Sequence, residues 1–270
     1  KKNINVFDDR GEWKMSKEIY GKGPGELLLP NDMTIDKNKA ELVLIDETGI
    51  LLKLDLQNHL ALTNQFDTKR STQSICVSGQ HIVINHSIPP GGVNRNSSDD
   101  NTIIYDKESL EVLSSISSNY SSSHWLVDRQ LSKGKVFCSD THDIHISEWF
   151  LPRLRIYDKS DFTEKIMYIF NDLSLIKVKF YLRDGKPTQT FEFEGERQYI
   201  ENILSDKNYI YLQLKRFLND GAEEGRVFRI DKKNLEVDYL GALGTIHWVY
   251  DSKLITSVKD PYPQILIYQM

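Results

Sequence analysis

The 270-residue chain lacks most of the features that would name a reaction. It has only two cysteines, Cys76 and Cys138, far apart and each inside an apolar run. There is no Cys-x-x-Cys and no paired-cysteine metal spacing. Two buried free thiols are the simpler reading and one disulfide is the alternative, and spacing decides neither. There is no run near the ~20 apolar residues a membrane span requires. Net charge is -5, with basic residues scattered among acids, so the field that draws nucleic acid is missing. No Gly-Lys-Ser/Thr phosphate loop and no Gly-x-Ser-x-Gly elbow occurs. No segment keeps helical periodicity over three turns. The chain opens on Lys1 rather than Met, inside a strand pattern, and a preceding leader is therefore expected.

What is present is strand. Thirteen Tyr, eleven Phe and many Ile and Val favour extended structure, and 39% hydrophobic against 27% charged residues fits a globular core. Residues 3–7 alternate and turn at Asp8-Asp9-Arg10-Gly11 into a second strand from Trp13 to Tyr20. A glycine-rich stretch, Gly21-Lys22-Gly23-Pro24-Gly25-Glu26, then leads to four short strands: Asn31–Asp36, Glu41–Asp46, Ile50–Leu56 and Leu60–Phe66. Unit two repeats the order at Thr72–Ser78, His81–His86, Thr102–Asp106 and Val112–Ile116, with a loop-like insertion from Ser87 to Asp100. Unit three is expected at His124–Asp128, Lys133–Ser139, Arg153–Tyr157 and Lys165–Phe170, with a long loop at Asp140–Pro152. The hairpin Val178–Leu182 with Thr190–Glu194 reads as a degenerate unit four. Unit five is Tyr199–Ser205, Tyr209–Lys215, Arg226–Asp231 and Val237–Leu240, and unit six is His247–Asp251, Lys253–Val258 and Gln264–Gln269.

Second strands begin near positions 41, 81, 135, 208 and 253, in steps of 40, 54, 73 and 45. With one more unit inside the longest step, the spacing is that of a β-propeller. The expected fold is all-β: a single propeller domain over 1–270, six blades of four antiparallel strands. The approximate blades are 27–66, 71–117, 123–170, 173–197, 199–243 and 246–270. Residues 3–20 would supply outer strands of the closing blade by pairing with the terminal unit, which would remove exposed edges.

The run Gly-Lys-Gly-Pro-Gly-Glu-Leu-x-x-Pro-x-Asp-x-x-Ile-Asp, preceded by Asn5-Val6-Phe7-Asp8-Asp9-Arg10-Gly11, resembles the inter-blade motif of NHL-type propellers. More closely, it resembles the six-bladed NHL/TolB-like propellers of Bacteroidetes, many of them predicted envelope lipoproteins. The match covers about residues 3–56; beyond it strand rhythm alone persists. The resemblance implies a location in the cell envelope, periplasmic or surface-anchored. It implies no activity, because the fold hosts many functions.

In propellers the first strand of each blade lines the central channel, and the loops entering it share one face. Two expected inner strands are near copies: His124-Trp125-Leu126-Val127-Asp128 and His247-Trp248-Val249-Tyr250-Asp251. Asn31, Asp32, His124, Trp125, Glu201, His247 and Trp248 are therefore the candidate ligand-binding residues at the channel mouth. His142, His145, Trp149 and Phe150 are candidate contacts on a face loop, the aromatic tip suiting sugar or protein. No metal-ligand spacing is diagnostic, and a divalent ion such as calcium is the one cofactor considered. Asp36, Asp46, Asp128, Asp206 and Asp251 end strands and read as turn-makers.

The leading expectation is a non-enzymatic binding or scaffold propeller of the bacterial envelope, taking a protein, carbohydrate or small-molecule ligand. The alternative is an enzyme with its site in the channel, either a metal-dependent lactonase-like hydrolase or an NHL-type lyase. The lactonase would draw on residues such as Asn31, Glu201 and Asp251, and the lyase on His124, His247 and Tyr250. The glycine-rich stretch is expected to be a joint between blades rather than a site.

Overall fold

The computed structural model describes residues 3–8, 10–87, 100–117, 133–139, 143–148, 153–169, 175–183, 186–194, 197–217, 223–250, 253–258 and 264–269. All regular structure among them is β. The chain divides into two compact units, Lys1–Asn119 and Tyr120–Met270.

The first unit opens with the hairpin β1 (Asn3–Phe7) and β2 (Trp13–Glu18). A four-stranded antiparallel sheet follows, in chain order: β3 (Pro30–Asp36), β4 (Glu41–Asp46), β5 (Ile50–Asp55) and β6 (Ala61–Asp67). A second sheet of the same order holds β7 (Thr72–Ser78), β8 (His81–His86), β9 (Thr102–Asp106) and β10 (Val112–Ile116). Four antiparallel neighbours in chain order make a propeller blade. β4 is apolar on both faces because both are covered. Val43 and Ile45 pack with Ile75, Ile82 and Ile84 of the next sheet. Leu42 and Leu44 point the other way, with Leu52 and Leu54, onto Ile4, Val6 and Met15 of the hairpin. Each such buried side chain contributes roughly 1.5–3 kcal/mol relative to exposure.

In the second unit one sheet runs β11 (Gly134–Cys138), β12 (Asp143–Glu148), β13 (Arg153–Asp158) and β14 (Glu164–Ile169). The hairpin β15 (Leu175–Arg183) with β16 (Lys186–Glu194) is a sheet of its own. Another four-stranded sheet is β17 (Arg197–Ser205), β18 (Tyr209–Phe217), β19 (Glu223–Asp231) and β20 (Val237–Gly241). The last sheet has three strands, β21 (Thr245–Tyr250), β22 (Lys253–Val258) and β23 (Gln264–Gln269). β18 serves two cores: Ile210, Leu212 and Leu214 pack toward Leu154 and Ile156 of β13, while Tyr211 packs with Ile246 and Leu254.

Two expectations about the order of strands differ from the structure. In the third unit the second strand is Asp143–Glu148, inside the segment expected as a loop, and Gly134–Cys138 is the first strand. His145 and Ser147 are polar yet fully buried, and this hides the strand from a hydrophobicity pattern. The segment His124–Asp128, expected as that inner strand, lies outside the described residues. Secondly, the β11–β14 sheet packs directly on the β17–β20 sheet through Leu154, Ile156, Ile200 and Ile203. The β15–β16 hairpin, where a degenerate fourth unit is expected, is a two-stranded sheet of its own.

Neither cysteine is free; both are disulfide-bonded, which settles the alternative that spacing left open against buried thiols. Thiol titration of the denatured, unreduced protein is accordingly expected to give zero equivalents, and two after reduction. One or more thiols before reduction would contradict this pairing state.

Candidate functional site

The glycine-rich stretch is a joint with its own anion. Glu26 folds back so that its Oε2 accepts the Gly23 N–H at 2.7 Å, and the Glu26 N–H donates to the Gly23 carbonyl at 3.1 Å. A Cβ on Gly21 would fall 2.0 Å from Glu26 Oε2, so the carboxylate occupies the space a side chain would need. Gly25 has φ +79° and donates its N–H to Gln65 Oε1 at 2.9 Å. Leu27, 1% exposed, then enters the core. The Leu28 N–H reaches Asp46 Oδ2 at 3.2 Å. The turn holds a carboxylate from its own chain where a phosphate loop would hold a ligand.

Just beyond the joint lie Asn31 and Asp32, which tie one sheet to the next. Asn31 Nδ2 donates to the Thr72 carbonyl at 2.8 Å. Asp32 Oδ2 accepts Ser74 Oγ at 2.7 Å and the Ile75 N–H at 2.9 Å, and Oδ1 accepts the Met33 N–H at 3.0 Å. A β-bulge makes this reach possible: pairing steps from Pro30–Asp46 to Asp32–Ile45 and leaves Asn31 out of the ladder. The arrangement recurs. Pairing skips Gln73 in β7, Glu201 in β17 and His247 in β21. After the third bulge, Asn202 Nδ2 donates to the Ile246 carbonyl at 2.7 Å and its Oδ1 accepts the Ile203 N–H at 3.0 Å. Gln213 completes that tie with Nε2 to the Gly244 carbonyl at 3.0 Å and Oε1 from the Ile246 N–H at 3.0 Å. Asn202 and Gln213 escape a search for ligand residues. The signal for Asn202 is in the sequence: Asn31-Asp32-Met33 and Glu201-Asn202-Ile203 hold the same places, each strand continuing to a turn aspartate, Asp36 or Asp206.

The four skipped side chains have different surroundings. Asn31 and His247 are exposed, and Gln73 and Glu201 are half-buried. Glu201 Oε1 lies 3.2 Å from Lys215 Nζ, and His247 Nε2 is 2.7 Å from Ser257 Oγ. Trp248 resumes the ladder opposite Ile255. His124, Trp125, His142, Trp149 and Phe150 lie outside the described residues.

His145 stands in the middle of β12, fully buried, rather than on a loop. Phe137 packs edge-on to it at 5.9 Å, and both ring nitrogens lack a hydrogen-bond partner. Burial, with Lys232 nearby, lowers its pKa to about 3. His86, equally buried, shares a 3.1 Å contact between Nε2 and Tyr105 Oη, and burial, then the Arg70 charge, lowers it to about 3. Among the described residues, no group of three or more His, Cys, Asp or Glu is placed to hold a metal ion, and no helix is long and apolar enough to cross a membrane.

Three of the strand-ending aspartates are turn-makers, and Asp128 and Asp251 lie outside the described residues. Asp36, Asp46 and Asp206 each accept a backbone N–H two residues on, at 3.0, 3.0 and 2.8 Å. Asp36 also meets Lys107 Nζ at 2.8 Å in a buried ion pair. A further repeat lies between third and fourth strands. Asp55, Asp106, Asp158 and Asp231 each accept the N–H two residues on. Leu60, Leu110, Phe162 and Leu235 then adopt φ of 58°, 59°, 58° and 64°. The signature Asp-x-x-x-Leu/Phe, one residue longer in the first sheet, marks these blades more regularly than the glycine-rich stretch does.

The Asp32 tie predicts a stability effect without a chemical one. Asp32→Ala removes two hydrogen bonds to Ser74 and Ile75, and a loss of about 2–3 kcal/mol is expected for bonds to a charged acceptor. Urea unfolding would measure it; a variant as stable as the parent would show that the tie is idle.

No curated protein matches the sequence. Among solved structures, a Bacteroides fragilis protein inferred to be exported is similar at TM-score 0.61 and 12% identity, over 95% of this chain and 73% of that one. The WD40 repeats of RRP9 are similar at TM-score 0.52 and 7% identity, over 94% and 62%. At these identities the likeness is one of fold alone. A family model, DUF5128, described as a 6-bladed beta-propeller, matches residues 1–214. The chain thus belongs to that family of six-bladed β-propellers.

Proposed function

We propose that this chain is a non-enzymatic binding or scaffold propeller of the bacterial cell envelope. Its ligand or protein partner would be met on the face that carries the loops entering the inner strands and the loops between second and third strands. The observation that carries this reading is the division of labour along the inner strands. In the second unit Asn202 is held by backbone of the following sheet, while the bulges offer Glu201 and His247 at positions the ladder does not use; in the first unit Asn31 and Asp32 make the tie and the next bulge offers Gln73. A rigid frame with displaced, differing polar side chains suits recognition better than one shared chemistry. Disulfide-bonded cysteines are at home in an oxidising compartment, and the name of the similar Bacteroides fragilis protein points the same way.

The test pairs binding with turnover. An array of soluble glycans and envelope proteins would be screened against the parent and a Glu201→Ala, His247→Ala variant, alongside lactone hydrolysis with and without calcium. Binding lost in the variant without loss of stability is the expected outcome. Calcium-dependent turnover of a lactone by the parent would sink the non-enzymatic reading.

A further inference from the structure

Two bulge residues of the second unit do what their counterparts in the first do not. Glu201, which the β17–β18 ladder skips, has its Oε1 3.2 Å from Lys215 Nζ on β18. Lys215 is the register partner of Tyr199, two residues before the bulge. His247, skipped in β21, has its Nε2 2.7 Å from Ser257 Oγ on β22. Ser257 is the partner of Thr245, again two residues before the bulge. One local geometry thus sets a polar pair across the first two strands of two successive sheets. In the first unit Asn31 and Gln73 bond instead to the Thr72 carbonyl. The two pairs are held beside one another by the inter-sheet ties. Asn202 follows Glu201 and donates to the Ile246 carbonyl, which precedes His247. Gln213, two residues before Lys215, bonds Gly244 and Ile246. All four side chains stand toward the end where the chain enters β17 and β21 and leaves β18 and β22. Glu201, Lys215 and Ser257 are half-buried and His247 is exposed.

We propose that Glu201, Lys215, His247 and Ser257 form a binding site for a neutral saccharide. The class of ligand follows from the balance of the four groups. A carboxylate only accepts hydrogen bonds and an ammonium only donates them, while a serine hydroxyl and a neutral imidazole each do both. The charges of Glu201 and Lys215 cancel, and they already meet one another. A ligand with a full charge must displace one of the two to reach the other. A sugar hydroxyl need not, because it donates to Glu201 Oε2, which no described residue bonds, while accepting from Lys215. A second hydroxyl is served in the same way by His247 and Ser257, and bonds to the charged pair are the stronger kind. The proposal rests on the binding reading above and narrows its ligand to sugar rather than protein.

The probes are neutral oligosaccharides of glucose, mannose, galactose and xylose, titrated calorimetrically into the whole chain. Galacturonate oligomers are the anionic comparison and glucosamine oligomers the cationic one. At least one neutral probe is expected to bind, equally well at low and high salt, because no net charge is engaged. Lys215→Met and Ser257→Ala should each weaken that binding roughly tenfold or more. A parent-like thermal midpoint separates lost binding from lost structure, and Ser257→Ala, smaller by one atom, carries the test if Lys215→Met unfolds. Lys253→Ala, at the far end of β22, should bind as the parent does. Silence of every neutral probe, binding confined to the charged ones, or equal binding by both variants overturns the proposal. If an envelope protein still binds the parent but not the Glu201→Ala, His247→Ala variant, the saccharide is refuted while the broader binding reading stands.

Discussion

Acidification from pH 7 to 4.5 is expected to destabilise this protein chiefly through two buried histidines. His86 and His145 are fully buried, and burial lowers each from 6.5 to about 3. The unfolded chain takes up a proton at each near pH 6.5 and the folded chain does not. Stability therefore falls as pH drops below 6.5, and each histidine removes about 1.4 kcal/mol per pH unit until its folded value is reached. Two histidines over two pH units remove roughly 5 kcal/mol, comparable with the net stability of many domains. The turn aspartates act lower. Asp106, for instance, is held below the ordinary 3.8 by the Ser109 and Glu108 N–H groups, so its contribution is present above that value and lost below it. Urea unfolding at pH 7, 6 and 5 would read the slope. His145→Leu with His86→Gln should flatten it, and His145→Leu alone should be tolerated at pH 7, because both ring nitrogens already lack partners. Stability unchanged between pH 7 and 5 would refute the assignment.

Gly134→Ala and Gly244→Ala are expected to be the most damaging small substitutions. A Cβ on Gly134 would lie 2.1 Å from the Ser147 carbonyl oxygen, and one on Gly244 would lie 2.1 Å from that of Ser257. In each case the obstacle is the backbone of the neighbouring strand, which cannot rotate away as a side chain does. Both glycines stand at the entrance to a first strand, Gly134 opening β11 and Gly244 preceding β21. The entering chain lies hard against the second strand there. A cost on the order of 3 kcal/mol is expected for each, or roughly 6–10 °C in thermal midpoint for a chain of this size. Gly11→Ala is the control. Gly11 has φ +79° with nothing within 4 Å of a Cβ, so it should lose only about 1 kcal/mol through backbone strain. If all three alanines cost the same, the close approach is not what fixes glycine at 134 and 244.

Much of the architecture was legible because its cues are local. Alternation and turn residues place β3–β10 and β17–β23 within three residues at either end. The third blade departs from its expected strand order because β12 buries His145 and Ser147 where a hydrophobic pattern requires apolar residues. Within the 73-residue step, Leu154 and Ile156 pack on Ile200 and Ile203, a contact between segments that no local cue connects. The site suffered from the same kind of distance. Asn31 and Asp32 stand out as polar residues in an apolar context, which the sequence registers as a candidate pocket. Their hydrogen-bond partners are backbone groups some forty residues downstream, and such pairings carry no residue-type signature. Glu201 attracted notice for its charge while the neighbouring Asn202 makes the tie.

The Asp-x-x-x-Leu/Phe turns have a consequence for how the chain acquires its structure. Each joins two strands adjacent in sequence through a handful of residues, and its hydrogen bonds form from the aspartate outward. Loops that short close in well under a microsecond, and hairpins form in about 1–10 microseconds. Four outer hairpins can therefore nucleate independently, with no contact from a distant blade. The ties through Asp32, Asn202 and Gln213 must wait until a second blade exists to receive them. Assembly is thus expected to run from the rim inward, with short-range turns early in the folding reaction and the inter-sheet hydrogen bonds late.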